Sequence, residues 1–402
     1  MTTKLQREGG TWGICLGRVN VVLAVALVAA VVASPSSQAQ SFSVVYTFTG
    51  GADGATPPSA LILDSSGNLY GTTYFGGLSK AGTVFMVDSK AKESVLHSFR
   101  GKPDGSHPFA GVIRDTAGNL YGTTHDGGAA RKGTVYKLNK AGRRTILYNF
   151  TGGTDGGNPN GGLFRDSAGN LYGTTVSGGT LSCGGGKGCG TVFKLDTTGK
   201  EQVLHSFSGA DGATPNASVV QDTAGNFYGT TQRGGASGHG TVFTLDGTGK
   251  ETFLHSFAGP DGAYPFAGLI FDGSSSFYGT TTSGGISGNG VVFVLSGGKE
   301  TVLYKFKGGA DGAHPWGGLV RDSAGNLYGT TTGGGAKGCN GYGCGTVFKL
   351  NSTSKKTILY VFTGAADGAN PYAGVVRDTA GDLFGTTPLG GSGSGLVFEI
   401  KP

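Results

Sequence analysis

The sequence predicts an all-β fold, a seven-bladed β-propeller, on three observations. The tetrapeptide Tyr/Phe-Gly-Thr-Thr occurs seven times, starting at Tyr70, Tyr121, Tyr172, Tyr228, Tyr278, Tyr328 and Phe384, with successive spacings of 51, 51, 56, 50, 50 and 56. Each unit of about 50 residues holds four β-type runs of 5–7 residues, separated by turn residues. No segment carries an apolar 3.6-residue period long enough for a helix. Four strands in each of seven units describe propeller blades. An open solenoid needs atypical capping units at its ends. Here the first and last units look ordinary, which favours a closed ring.

Every unit reads in one order. An apolar run ends in Phe, as in Val95-Leu96-His97-Ser98-Phe99, and Asp-Gly-x-x-Pro follows. A second run ends in Asp, as in Ala110–Asp115, before a Ser/Thr-Ala-Gly-Asn turn. Then come Leu-Tyr-Gly-Thr-Thr, a double glycine, and a run such as Gly133–Leu138. Strand A is assigned to the run before the turn Asp, B to Leu-Tyr-Gly-Thr-Thr, C to the Gly-Thr-Val-Phe run and D to the Val-Leu-His-Ser-Phe run. In that phase the mature chain starts with a D strand, Phe42–Phe48, and ends with a C strand, Gly395–Ile400. The N-terminal strand should therefore complete the seventh blade beside Leu396–Ile400, leaving no raw sheet edge.

Composition agrees with this reading. Of 402 residues, 81 are Gly, yet no Gly-X-Y period is present. Charged residues make up 14% and aromatics 10%, so the chain has enough apolar surface to fold. Lys4, Arg7 and Arg18 precede an apolar stretch, Val19–Ala33, and small and polar residues follow it. This is the order of a secretory signal over residues 1–39, with cleavage after Ala39 and a propeller domain over residues 40–402. An uncleaved N-terminal anchor is the alternative, although the apolar stretch is shorter than the ~20 residues of a membrane-spanning helix. Cys15 precedes the stretch and is misplaced for a lipid anchor. The mature chain has 28 basic and 24 acidic residues without a basic stripe, so nucleic acid is not an expected partner. A secreted or periplasmic monomer, free of the membrane after cleavage, is expected.

Four cysteines remain in the mature chain, and they lie in the two long repeats. Export implies an oxidising compartment. Local bridges Cys183–Cys189 and Cys339–Cys344 are expected, each closing a short glycine-rich loop and contributing about 2 kcal/mol. A single zinc site on all four is the competing reading, disfavoured because the pairs lie three repeats apart.

Several units, with GADGA-x-P, DSAGNLYGTT, the double glycine and GTVFKL, resemble the GloVer (Gloeo/Verruco) tandem-repeat family of exported bacterial proteins. The resemblance covers about residues 42–400. Unit five departs from it in its turn, Asp272-Gly273-Ser274-Ser275-Ser276. The resemblance implies a propeller outside the cytoplasm and no assigned reaction. The double glycine is also similar to kelch repeats, but kelch's later Tyr and Trp are missing, and no Trp-Asp pair supports a WD40 reading.

Repeated residues are read as structural. The Asp-Gly acids (Asp53, Asp104, Asp155, Asp211, Asp261, Asp311, Asp367) and the turn acids (Asp64, Asp115, Asp166, Asp222, Asp272, Asp322, Asp378) cap their own turns. Neither set has the spaced acids of a calcium loop, and no glycine-rich loop precedes the Lys-Ser/Thr of a phosphate loop. The strand-B glycine is expected to permit close blade-to-blade approach. His97, His205 and His255 fill a D-strand slot held elsewhere by Tyr46, Tyr148, Tyr304 and Tyr360, which reads as packing. Arg114, Arg165, Arg321 and Arg377, with Gln221, end strand A and are expected at the opposite channel mouth, paired with turn aspartates rather than forming an anion site.

Positions that vary within the repeat carry the functional reading. After the Pro of Asp-Gly-x-x-Pro stand Pro58, Phe109, Asn160, Asn216, Phe266, Trp316 and Tyr372. Before it stand Thr56, His107, Asn158, Thr214, Tyr264, His314 and Asn370. Rings stack on sugars and amides hydrogen-bond to them, so this face suits a carbohydrate or a cell-surface partner. The alternative is that the rings only roof the blades. A binding protein without cofactor or metal is the leading reading. A lyase or lactonase using His107, His314 or His125 is the second, and a structural cell-envelope protein the third.

Overall fold

The computed structural model of the chain describes residues 40–402. The secretory-signal reading of residues 1–39, with Cys15 and the Ala39 cleavage position, lies outside the described residues. Among the described residues no helix is long and apolar enough to cross a membrane.

Seven antiparallel sheets of four strands each form the blades. In blade one, strands A to D are Ile62–Leu63, Leu69–Thr73, Thr83–Val87 and Glu93–Ser98. The N-terminal strand Ser41–Thr47 pairs antiparallel with Leu396–Lys401, from Ser41↔Lys401 to Thr47↔Leu396, and completes blade seven. The ring therefore closes as the phase of the repeat predicts.

Strand A is shorter than expected: only two residues of each predicted run pair with strand B, as with Ile113–Arg114. The reason lies in the neighbouring blade. The first Thr of each Gly-Thr-Thr donates its hydroxyl to a carbonyl of the next blade's inner run. Thr72 Oγ1 bonds Ala110 O at 3.0 Å, and Thr386 Oγ1 closes the ring on Ser59 O at 3.0 Å. The same bond recurs at the five other seams. The start of each A run is thus satisfied from the side, and regular pairing begins only further along.

The strand-B glycine acts within its blade rather than between blades. Gly71 lies opposite Phe85, and a Cβ there would stand 2.7 Å from the Phe85 ring and 2.8 Å from Leu61 Cδ2. Its absence lets the C-strand ring cross the sheet face. That ring meets the Phe ending strand D of the preceding blade edge-on. Seven such pairs run from Phe48–Phe85 (5.0 Å between centroids) to Phe362–Phe398 (5.2 Å), each buried. Blade two uses Tyr136 in this place. The core is consequently a ring of inter-blade clusters, such as Val84 and Phe99 of blade one with Leu120 and Tyr136 of blade two.

A second seam contact explains Asp-Gly-x-x-Pro. The Pro rests on the glycine that opens strand C of the preceding blade, as Pro315 does on Gly290. A Cβ on Gly290 would lie 2.7 Å from Pro315 Cδ and 2.2 Å from Thr281 O, and its φ is +92°. The same Pro–Gly contact recurs at the other six seams. The residue before the Pro is left-handed in all seven loops, with φ from 53° to 58°. A non-glycine residue there costs about 1–3 kcal/mol unless its surroundings hold it. They do: each donates its N–H to the residue before that glycine, as His314 N does to Asn289 O at 2.8 Å. In six of the seven its carbonyl also accepts an N–H from the residue after Thr-Thr; the seventh partner is Pro388, which has none.

The repeated acids are engaged locally. The Asp-Gly carboxylate accepts from the D-strand Tyr or His, as in Tyr46–Asp53 at 3.0 Å and His205–Asp211 at 2.9 Å. The His/Tyr slot is thus a hydrogen-bond donor slot, which corrects the packing reading. Turn acids bind the Asn and Tyr that follow, as Asp166 does with Asn170 and Tyr172. In unit five Asp272 takes three backbone N–H groups, from Ser274, Ser275 and Ser276, instead. The strand-A arginines stack over strand-B rings of the preceding blade, Arg165 over Tyr121 at 5.8 Å, and among the described residues none forms an ion pair with a turn aspartate.

Along the outer seam, the first D-strand residue approaches the Asp of the loop from the preceding blade. Arg144 pairs with Asp104 and Lys356 with Asp311. In blades one, three, four and five an acid stands there: burial, then the Asp53 carboxylate, pushes the Glu93 carboxyl up to about 7, and burial with Asp155 does the same to Glu201.

Three outcomes follow. Gly290→Ala should lower stability by at least about 2 kcal/mol in denaturant unfolding, whereas Gly247→Ala, with open space around its Cα, should change it by less than about 0.5 kcal/mol. Deleting residues 41–48 removes Phe48 and uncovers the edge of Leu396–Lys401, so the truncated chain should elute as aggregate in size-exclusion chromatography. For Glu93 and Glu201 the folded state favours the neutral acid, so their ionisation opposes folding as pH rises from about 4.5 through about 7. Glu93→Gln and Glu201→Gln should therefore raise Tm at pH 8 and leave it nearly unchanged at pH 4.5.

Candidate functional site

One face of the ring is built by the D–A and B–C connections. They meet through single bridges in every blade, including Ala55↔Phe75, Ser106↔Asp126 and Ala369↔Leu389. Both disulfides, Cys183–Cys189 and Cys339–Cys344, form as expected and close the long B–C connections on this face. Cys189 O and Cys344 O accept the seam bonds from Thr214 N and Asn370 N, so the bridged loops are tied into the ring.

A cavity of about 260 Å3 opens at the centre of this face. All seven residues after the conserved Pro line it: Pro58, Phe109, Asn160, Asn216, Phe266, Trp316 and Tyr372. Its wall is divided. On one side the rings are contiguous, with Phe266 stacked on Trp316 at 4.8 Å and Trp316 on Tyr372 at 5.0 Å. Phe109 meets Phe266 edge-on at 5.9 Å across the ring. On the other side Asn160 Nδ2 donates to Asn216 Oδ1 at 2.9 Å, and Asn216 Nδ2 donates to Gln232 Oε1 at 3.0 Å. Asn160 Oδ1 is shielded from solvent and has no hydrogen-bond partner among the described residues. The four rings are half-buried, each leaving part of its surface free. Among the described residues no Asp, Glu, His, Lys, Arg or Cys lines the cavity, so its chemistry is stacking and neutral hydrogen bonding.

The residues before the Pro are placed differently. His107, Tyr264 and His314 do not line this cavity. Their left-handed backbone turns them toward the B–C connections. His314 Nδ1 lies 2.8 Å from Thr282 O, Tyr264 meets His239 edge-on at 5.4 Å, and His107 stacks on Tyr74 at 4.8 Å. The sequence pattern put both sets on one face, and the peptide conformation before the Pro separates them.

Blade two holds a cluster of another kind. His107 Nδ1 and His125 Nδ1 each lie 3.0 Å from a different oxygen of Asp126, and Asn158 Nδ2 donates to that carboxylate at 3.2 Å. Burial alone would raise the Asp126 carboxyl. The hydrogen bond from His107 and the close approach of His125 outweigh it and hold the group well below the usual carboxylate range. The sequence reading did not single out Asp126 or Gln232. Both follow Thr-Thr, at positions that change from blade to blade: Asp126 stands where other blades have Phe75, Ser177, Arg233, Ser283, Gly333 and Leu389. Comparing units at that position would have found it.

Solved structures resemble this chain in fold. The extracellular domain of a proposed one-component system from B. thetaiotaomicron has 13% identity and a TM-score of 0.56, with 89% of this chain and 39% of that one covered. A puromycin-hydrolyzing peptidase from Mycobacterium tuberculosis has 10% identity and a TM-score of 0.50 over 86% of this chain and 52% of that one. The chain thus spans about two fifths and half of these two proteins. A gluconolactonase from Xanthomonas campestris has 16% identity and a TM-score of 0.40 over 68% of this chain and 82% of that one. No curated protein sequence matches. The model of the Gloeobacter/Verrucomicrobia repeat matches twice, over residues 31–185 and 179–398, and with its seven units and closed ring the chain belongs to that family.

Proposed function

We propose that this chain is an exported binding propeller whose central funnel holds a carbohydrate, such as the terminal unit of a cell-surface glycan. One observation carries the reading: a continuous ring wall, Phe266–Trp316–Tyr372, faces an amide pair, Asn160–Asn216, in a cavity without charged residues. Sugar C–H faces stack on rings while their hydroxyls need neutral donors and acceptors. Asn160 Oδ1 offers such an acceptor. The volume of about 260 Å3 lies just below the usual range of small-molecule sites, about 300–1,000 Å3, which suits a single terminal unit rather than a long chain. Two disulfides support an exported protein, secreted or periplasmic.

A second reading rests on His107, Asp126 and His125. A carboxylate held between two imidazoles is suited to general acid–base work, as in a lactonase or lyase. It lies outside the funnel, so the two readings part cleanly.

Trp316→Ala and Tyr372→Ala should each weaken glycan binding about tenfold on an array, the loss of one stacking partner. Asp126→Asn should leave that binding unchanged. Absence of any glycan bound by the wild type, or full binding by the double ring variant, overturns the proposal. Turnover of a lactone or lyase substrate that Asp126→Asn abolishes would instead support the second reading.

A further inference from the structure

The outer seam between blades four and five brings together a group of side chains that the funnel does not use. His255 lies on strand D of blade four, Glu251–Ser256, and Asp261 in the loop leading to blade five. Glu300 lies on strand D of blade five, Lys299–Lys305. One ligand atom from each of the three lies within 4.8 Å of the others, and His255 Nε2 is 2.9 Å from Asp261 Oδ2.

The charge at this position is inverted relative to two other seams. Blades two and six place a cation there, Arg144 on Asp104 and Lys356 on Asp311. At the blade-five seam Glu300 takes the cation's place, and its Oε1 is closed off from solvent without a hydrogen-bond partner, as are those of Glu93, Glu201 and Glu251 at the other acidic seams. Among the described residues neither Glu300 nor Asp261 pairs with a lysine or arginine. Two carboxylates and one imidazole thus converge on one point with no lysine or arginine between them.

We propose that His255, Asp261 and Glu300 bind a divalent transition-metal ion of the zinc type, which ties blade four to blade five as Arg144 and Lys356 tie other seams. One nitrogen and two oxygens suit zinc, which takes four ligands from imidazole and carboxylate, whereas calcium needs six to eight oxygens. Tetrahedral zinc at about 2.0–2.1 Å sets its ligand atoms about 3.3 Å apart. The His255–Asp261 pair already has nearly that spacing, and Glu300, within 4.8 Å of both, would have to move closer on ligation. For ligation the imidazole carries its proton on Nδ1 and offers Nε2. The seam between blades three and four has the same residue types, His205, Asp211 and Glu251. At the Asp53–Glu93 and Asp155–Glu201 seams a tyrosine replaces the histidine, and a neutral phenol is a poor ligand. The protein thus contains its own controls.

The test uses full-length protein purified without a polyhistidine tag, stripped with EDTA and titrated with ZnCl2 at pH 7.5. Calorimetry should show at least one zinc bound per chain, and Tm should rise by roughly 3 °C or more with the metal. Cobalt should give the visible absorption of a tetrahedral site. His255→Tyr installs the residue that four other blades carry in this slot, so it should fold, with the metal-free Tm as the check. It and Glu300→Gln should each remove one equivalent of zinc, while Glu93→Gln should remove none. Absence of stoichiometric zinc in the wild type overturns the proposal. So does unchanged stoichiometry in both His255→Tyr and Glu300→Gln, and so does loss of zinc from Glu93→Gln alone.

Discussion

The contact between each loop proline and the glycine opening the preceding blade's strand C is what the rest of the molecule is arranged around. It needs a glycine at φ near +90° and a left-handed residue directly before the proline. Glycine takes its angle freely, but the left-handed residue before the proline is strained in an isolated chain. That residue is held because the neighbouring blade supplies a carbonyl to its N–H. Blades are therefore not separate units that happen to touch. The loop of one blade takes its shape from the next, and seven repetitions make the strain collective.

That arrangement also builds the candidate site. The left-handed turn before the proline directs the preceding side chain toward the B–C connections and the following one to the central cavity. Conformation, not composition, sorts the two sets. The positions most tightly bound to the fold in backbone terms are the freest in side-chain identity. A ring, an amide or an imidazole can stand there without altering the seam, because the seam is made by main-chain groups. Variation is thereby concentrated around one funnel and one rim.

The seams also show how one geometric slot takes different chemistry. The D-strand donor is Tyr or His because either reaches the same Asp carboxylate. The opposing position is Glu, Arg or Lys, and blade seven uses Phe42, stacked on Tyr360 at 4.0 Å. Electrostatics at the rim thus differs from seam to seam while the buried Phe pairs stay constant. Close-packed interiors tolerate little change in volume, and a solvent-facing rim tolerates change in charge.

Blade number, strand order, the closing strand and both disulfides were legible in the sequence, since each rests on local pattern: the 50-residue period, turn residues, apolar runs and cysteine spacing. So was the ring of residues after the proline, because a repeat places equivalent positions at equivalent points. The short strand A was not legible, since its partner is a threonine on another blade. The role of the strand-B glycine was misread for the same reason: which ring crosses it depends on the pairing register, Gly71 opposite Phe85. The Asp126 carboxylate joined residues on either side of a blade's inner strands, His107 before them and His125 beside it. By itself the sequence determined the periodic architecture, since periodicity is a property of neighbours along the chain. Tertiary structure alone decided which varying side chains face one another, since that depends on the backbone angle before each proline and on the seam to the adjacent blade.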